Sequence, residues 1–385
     1  MTTITLPRTL LVGGGVLNQL PTVLQELSCR RALLVTDAMM VTLGHADRIQ
    51  KLLAEHHISC DVFADTIPEP TSASIQAGVA TVSQGNYDAL IALGGGSPMD
   101  SAKAMAILGK HGGHIRDYAF PVQVNTPGLP LIAIPTTAGT GSEVTRFTII
   151  TDEKSDEKLL CIGTAFVPTA ALIDYELTLS VPARTTADTG IDAMTHAIEA
   201  YVSRKANSYS DSQALAAMRL LGPNLKHAYD NGNNHDARAA MMLGSTLAGI
   251  AFSAASVALV HGMSRPIGAF FHVPHGLSNA MLLPTITAYS LSAAPVRYAD
   301  CARALGFASE HDSTDAANQK LLDTLYALNA HLQVPSLAQY GIDKARFMEL
   351  IPTMAQQAIA SGSPNNNPRI PSQPEMEQLY QQLWD

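Results

Sequence analysis

The sequence predicts an α/β domain built on a parallel sheet, followed by an all-α domain. Three observations carry that reading. Through the first half, short apolar runs alternate with segments of helical spacing, the order that builds a parallel sheet covered by helices on both faces. The alternation stops near Pro182, and from Thr185 onward apolar residues recur at helical spacing with almost no strand candidates. The chain has 385 residues, and at roughly 100–200 residues per domain that length makes two. Residues 1–182 are assigned to the α/β domain and 183–385 to the helical one.

In chain order, RALLVTD (31–37) is an apolar run ending in an acid, and residues 44–57 read as a helix. CDVF opens a second strand, and IQAGVATVSQ, after PEPT (68–71), is helical. YDALIAL (87–93) is a continuous apolar strand followed by GGGSPMD, and LPLIAIPTT (129–137) is another that ends in a turn. Beyond Thr185, the helical segments are TADTGIDAMTHAIEAYVS, DSQALAAMRLLGPNL, ARAAMMLGSTLAGIAF and NQKLLDTLYALNAHL. The run Leu247–Val260 carries two serines and is too short to span a bilayer, so a buried helix central to the second domain is expected there.

Composition excludes several classes. Hydrophobic residues make up 46% and charged residues 15%, a globular rather than a disordered balance. A net charge of −9 argues against a general nucleic-acid binder, which needs a basic face. Cys29, Cys60, Cys161 and Cys301 form no C-x-x-C pair, which fits a reducing cytoplasm. The start, MTTITLPRTLLVGGG, lacks the features of a signal peptide, and no membrane partner is expected. There is no internal repeat, and SGSPNNNP (361–368) is the one biased segment.

GGGSPMD follows a strand and opens a helix. Glycines allow close backbone approach, and exposed amides at a helix start favour a phosphate. Ser97 is the expected N-cap, with Pro98 at the first helical position and Asp100 completing a capping-box spacing. A plain strand-to-helix turn is the alternative, since no G-x-G-x-x-G is present. PTTAGTGSE (135–143) supplies a second hydroxyl- and glycine-rich turn at a strand end, where Thr136, Thr137, Thr140 and Ser142 are candidate donors to phosphate or ribose. Two such loops at strand carboxyl ends are where a Rossmann-like sheet places its ligand. Asp37 suits a ribose diol and would repel a 2′-phosphate, favouring NAD over NADP; a helix N-cap is its alternative role.

In the second half, Asp192 and His196 stand four apart in a predicted helix, so they share a face. Such a pair is often a surface hydrogen bond, but here the flanking residues are apolar and a buried acid needs a partner charge. His261 and His275 are candidates to supply it. They would lie roughly 21 Å apart along a continuous helix, so the chain must turn back, with Gly268 and Pro274 offering the turn. One carboxylate and three imidazoles make a donor set suited to Fe2+ or Zn2+.

GGGSPMD, PTTAGTGSEVT, TGIDAMTHAIEAYVS, the VHGM…PHGLSNAMLLP block and NNNPR together resemble the iron-containing (group III) alcohol dehydrogenases over nearly the whole chain. The resemblance implies a nucleotide-binding α/β domain, an all-helical metal domain in a dehydroquinate-synthase-like arrangement, and a homodimer or higher homo-oligomer. It implies metal ligands at Asp192, His196, His261 and His275, and iron as the metal, although zinc fits the same set. It implies NAD contacts at Asp37, Gly95, Gly96, Ser97, Thr136, Thr137, Thr145 and Lys158. The implied chemistry is hydride transfer between nicotinamide and a small primary alcohol or aldehyde. The alternatives are a polyol dehydrogenase or a lyase of the same architecture and, more remotely, a non-catalytic metal-binding protein.

The sequence departs from the family pattern at two places. Many relatives carry a histidine where Arg265 stands, assigned to proton relay or substrate binding, and an arginine stays protonated. His272 is the available replacement, so His272 and Arg265 are the catalytic candidates, expected to face the substrate. Arg265 either pairs with an acid across a helix interface or binds an acidic group on the substrate. Glu69 stands where relatives often have asparagine, with a weakened cofactor contact or a further bias against NADP as the expected effect. Glu199 is read as a cap or salt bridge on its own helix, and His56, His57, His111 and His114 as surface residues.

Overall fold

The computed structural model describes residues 3–155 and 157–384. These divide into two compact units, 3–178 and 179–384, against a division at 182 in the sequence reading. The difference arises because the turn Tyr175–Thr178, which follows the last strand, ends the first unit.

The first unit contains eight strands: β1 (Thr9–Val12), β2 (Arg31–Val35), β3 (Ser59–Phe63), β4 (Ala89–Gly94), β5 (Leu131–Pro135), β6 (Phe147–Asp152), β7 (Glu157–Ile162) and β8 (Ala170–Ile173). Six of them form one parallel sheet in the order β1-β8-β5-β4-β2-β3. Every residue of β4 and β5 is buried, which explains their unbroken apolar sequences: a strand covered on both faces has no solvent side to alternate toward. Leu34, Ile91, Ile132 and Leu172 pack with Leu20, Ile49 and Leu53 into one core, each contributing about 1.5–3 kcal/mol by burial. The antiparallel pair β6–β7 stands apart from the sheet and buries alternate residues, among them Ile150 and Cys161, against Ile107, Ile115 and Phe166. Neither β1, β8 nor this pair is anticipated by the sequence reading.

The second unit is helical, with no strand among its described residues. The helices Ser208–Asp230, His235–Ala255, Thr314–His331, Lys344–Ala360 and Gln373–Gln382 start on Asn207, Asn234, Ser313, Asp343 and Ser372, whose side chains each accept a backbone amide three residues on. The helices Ala183–Val202, Leu259–Phe271 and His275–Leu291 lack a side-chain cap of this kind. The expected helix over Leu247–Val260 is interrupted. His235–Ala255 ends, Ser256 takes a left-handed φ of 68°, and a new helix begins at Leu259. His235–Ala255 is long and apolar enough by composition to cross a membrane, but it is mostly buried within the unit, as the central helix of a packed bundle is.

Candidate metal centre and nucleotide loops

Nearly every residue from Thr186 to Val202 is buried, and Ala187, Gly190, Ala193, Ala197 and Ala200 keep that helix thin enough for neighbours to approach. Asp192 and His196 project from it and are 2% and 4% exposed. His261 lies in the first turn of Leu259–Phe271, and His275 is the first residue of the next helix. The reversal between them is made by His272, left-handed at φ 54°, together with Val273 and Pro274. Gly268 is not the turn; it sits inside the helix, and its carbonyl accepts the His272 amide. Gly276 has a packing reason, because a Cβ there would collide with the Asp188 carbonyl, one turn before Asp192.

The four predicted ligands converge. One donor atom from each of Asp192, His196, His261 and His275 lies within 4.8 Å of the others. Asp192 Oδ1 is 3.4 Å from His261 Nε2, 3.6 Å from His275 Nε2 and 3.9 Å from His196 Nδ1. Ligands held at about 2.1 Å around a tetrahedral ion are about 3.4 Å apart, so the set fits a divalent cation with little adjustment. Stacking of His196 between Phe252 (4.2 Å between centroids) and His261 (4.4 Å) fixes its ring. The electrostatics agree. Burial acts to raise the Asp192 pKa, but the imidazoles of His196, His275 and His261 outweigh it and hold the carboxylate ionised. Burial acts to lower the His261 pKa, yet the Glu199 and Asp192 carboxylates push it up to about 9, so the site favours positive charge. The His275 side chain is 42% exposed and the other three are 5% or less, which leaves the His275 side as the approach to an ion.

Two further residues complete the centre. Glu199 serves a different segment from its own helix; it is 3% exposed and its carboxylate accepts from Ala258 N (2.7 Å), Val260 N (2.6 Å) and His261 Nδ1 (2.7 Å). It thus caps the Leu259–Phe271 helix from a distance and fixes the His261 tautomer, leaving Nε2 for a metal. Asn279, one turn after His275, is fully buried and directs Nδ2 to Asp192 Oδ1 (2.7 Å), His261 Nε2 (3.2 Å) and His275 Nε2 (3.3 Å). Its Oδ1 is buried without a partner, and half a turn of the amide directs that acceptor toward the same ligand atoms. The sequence carried both signals. Positions 192, 196 and 199 share one helical stripe, and 275 and 279 share another.

The catalytic candidates separate. His272 is exposed, and its carbonyl, rather than its ring, accepts the Tyr340 hydroxyl at 3.0 Å. Arg265 is half-buried on the helix that carries His261. Among the described residues its guanidinium makes no hydrogen bond or ion pair, and Glu199 is the acid whose charge partly offsets its burial.

In the first unit, Gly94 ends β4 at a φ of 142°, and the helix Gly96–His111 starts on Gly95, not Ser97. The Ser97 hydroxyl instead accepts the Glu69 amide at 3.2 Å, and Asp100 is turned inward to Ser142 Oγ and the Ile149 amide. With no side-chain cap, the first amides of this helix remain available to an anion. The β5 loop packs beside them, because a Cβ on Gly95 would lie 3.4 Å from Thr137 Oγ1 and one on Gly96 3.0 Å from Thr140 Cγ2. Thr136 is buried at the end of β5. Asp37 caps the short helix Ala38–Thr42 through the Met40 amide (2.9 Å), while its second oxygen faces Gly94. Thr145 is buried, with its hydroxyl 3.1 Å from the Lys103 ammonium. Lys158, on β7, pairs with Glu69 at 3.0 Å, so the carboxylate in the 68–71 turn is neutralised by a cofactor-binding candidate. His56, His57, His111 and His114 are exposed.

The family model described as "Iron-containing alcohol dehydrogenase" matches residues 7–175, and the one described as "Fe-containing alcohol dehydrogenase family, C-terminal" matches residues 186–384. The NAD-dependent methanol dehydrogenase of Bacillus methanolicus is 34% identical over 380 residues, covering 98% of this chain and 99% of the relative. A solved 1,3-propanediol oxidoreductase matches with a TM-score of 0.95 at 33% identity, over 100% of both chains. The sulfoacetaldehyde reductase of Bifidobacterium kashiwanohense, solved with NAD+, matches with a TM-score of 0.89 at 27% identity, over 100% of this chain and 99% of that one.

Proposed function

This chain belongs to the iron-containing alcohol dehydrogenase family, and from that premise we propose that it transfers a hydride between NAD(H) and a small primary alcohol or aldehyde. The convergence of Asp192, His196, His261 and His275 is the observation that carries the reading. A match of family models to both halves favours it over a polyol dehydrogenase, a lyase of the same architecture or a non-catalytic metal-binding protein. Bound at those ligands, Fe2+ or Zn2+ supplies Lewis acidity toward a substrate oxygen, and the nicotinamide carries the hydride. The protein's part is placement. Asp192 contributes the charge that holds the cation, Glu199 orients His261, and the half-exposed His275 leaves one side open to substrate. The uncapped amides after Gly95 suit the pyrophosphate. The four cysteines are free thiols, in keeping with a cytoplasmic enzyme, and the family resemblance supports a homo-oligomer.

Oxidation of NADH by a panel of short aldehydes, run on chelated protein with and without added Fe2+ or Zn2+, tests the reading. Metal-dependent turnover is expected. Turnover that is equal with and without metal, or absent with every aldehyde and both metals, overturns it.

Cofactor choice gives a second expectation. Asp37→Gly should raise the NADPH-to-NADH ratio of kcat/KM at least tenfold, by removing a carboxylate from the position that suits the ribose 2′-hydroxyl. Glycine is a tolerable cap, so the stability cost should be only about a few tenths of a kcal/mol. An unchanged ratio would leave Asp37 as a helix cap alone.

A further inference from the structure

We propose that Arg265 recognises an anionic group on the substrate, so that the preferred aldehydes carry a carboxylate or sulfonate at the end remote from the carbonyl. The inference rests on the dehydrogenase reading and names the substrate class of that same site.

The argument begins with placement. Arg265 follows His261 by four residues in one helix, so both project on the same face, and a helical side chain leans back over the preceding turn. That directs Arg265 toward the His261 end of the helix. The two Cα atoms are about 6 Å apart along the axis, a distance of the order of a two- to four-carbon chain. An aldehyde whose oxygen meets the metal ligands and whose chain runs along this helix face would bring its far end near the guanidinium.

Charge supplies the second step. Arg265 is half-buried, and among the described residues no carboxylate lies within ion-pair distance of it. Glu199 is the nearby acid, but its two oxygens already accept two backbone amides and the His261 imidazole. The carboxylates of Asp192 and Glu199 together balance one divalent ion. Arg265 leaves one positive charge over, in a place where water does not fully reach it. A cation so placed is costly unless an anion joins it. Its planar fork of donors matches carboxylate and sulfonate oxygens, and such charge-assisted bonds are about twice as strong as neutral ones. A neutral alcohol or aldehyde satisfies none of this.

The test compares pairs of equal chain length on the metal-loaded enzyme: butanal with 4-oxobutanoate, and propanal with sulfoacetaldehyde. For the wild type, kcat/KM should be at least tenfold higher for the anionic member of one pair or both, and the two pairs distinguish carboxylate from sulfonate. Arg265→Met should lower kcat/KM for the preferred anion at least thirtyfold, mainly through KM, with a loss at least tenfold smaller for the matching neutral aldehyde. Arg265→Lys should recover part of the loss. Competitive inhibition by butanoate against butanamide, compared between the wild type and Arg265→Met, separates the guanidinium from the metal as the partner of the carboxylate: the preference for the acid should fall at least tenfold in the variant. Turnover of neutral and anionic aldehydes with equal efficiency, or equal losses for both in Arg265→Met, overturns the proposal while leaving the dehydrogenase reading intact. Absence of metal-dependent turnover with every aldehyde overturns both.

Discussion

Replacing His261 with alanine should abolish turnover and strip the protein of tightly bound metal, while both units remain folded. His261 Nε2 lies 3.4 Å from Asp192 Oδ1 and is oriented by Glu199, so its removal deletes a ligand that the protein has prepared in advance. Lewis-acid stabilisation is worth several kcal/mol, and at about 1.4 kcal/mol per decade its loss lowers kcat/KM by about 10^3-fold or more. The fold should survive because the Glu199 carboxylate keeps its bonds to the Ala258 and Val260 amides in this variant. The first unit contains none of the four ligands. Metal content after dialysis, read beside circular dichroism, checks the expectation. Stoichiometric metal in the variant would remove His261 from the ligand set, and loss of structure would mean that the imidazole is a packing element first.

How much of this was legible in the chain depends on whether the cause of each feature is local. The strands β2, β4 and β5 are written as apolar runs because the sheet covers both their faces. The Asp192–His196 pair is written as a helical spacing. Features made by distant partners were not legible in this way. β1 and β8 are four residues each; β1 becomes a strand by pairing with β8 across about 160 residues of chain, and β8 by lying between β1 and β5. The break at Ser256 has no glycine or proline to announce it. It is imposed from elsewhere: Asn366 donates to Ser256 Oγ (3.1 Å) and the Val257 carbonyl (2.9 Å), and Glu199 takes the next amides. The biased SGSPNNNP segment thus acts as a buried polar clamp, not a linker. Ser97 illustrates a local rule overridden, since its hydroxyl is taken by the Glu69 amide and Gly95 starts the helix. Glu199 is the instructive misreading. Its spacing from His196 suggested a cap or salt bridge on its own helix, but residues 191–202 offer no solvent-facing side for a charge to occupy. A carboxylate in such a helix must be matched by buried donors, and two of the three it found are backbone amides, which every residue carries and no sequence displays.

Glu199→Ala should therefore damage both the fold and the metal site, in contrast to the loss of His261. Three buried donors lose their acceptor at once: the amides of Ala258 and Val260 and the imidazole N–H of His261. At about 1–3 kcal/mol for each buried group left unsatisfied, the expected loss is about 3–5 kcal/mol after partial relaxation. For a unit of this size that corresponds to a drop in Tm of about 10 °C or more. The metal should suffer separately. Without Glu199 the His261 ring is free to change tautomer and tilt, and losing a partner of this kind typically costs about 10–100-fold in metal affinity. Glu199→Gln separates the two effects. The amide keeps the shape and one acceptor oxygen for the helix start, but it carries no charge to raise the basicity of His261. It should recover only part of the Tm, because its NH2 group must face one of the buried N–H donors, while remaining weak in metal affinity, and excess metal should restore its activity, as it cannot for His261→Ala. Chelator competition and thermal unfolding on the two variants make the comparison. If Glu199→Ala matches the wild type in both, the carboxylate merely fills space beneath the helix; if Glu199→Gln binds metal as tightly as the wild type, hydrogen-bonded orientation alone, without the charge, sets the strength of the site.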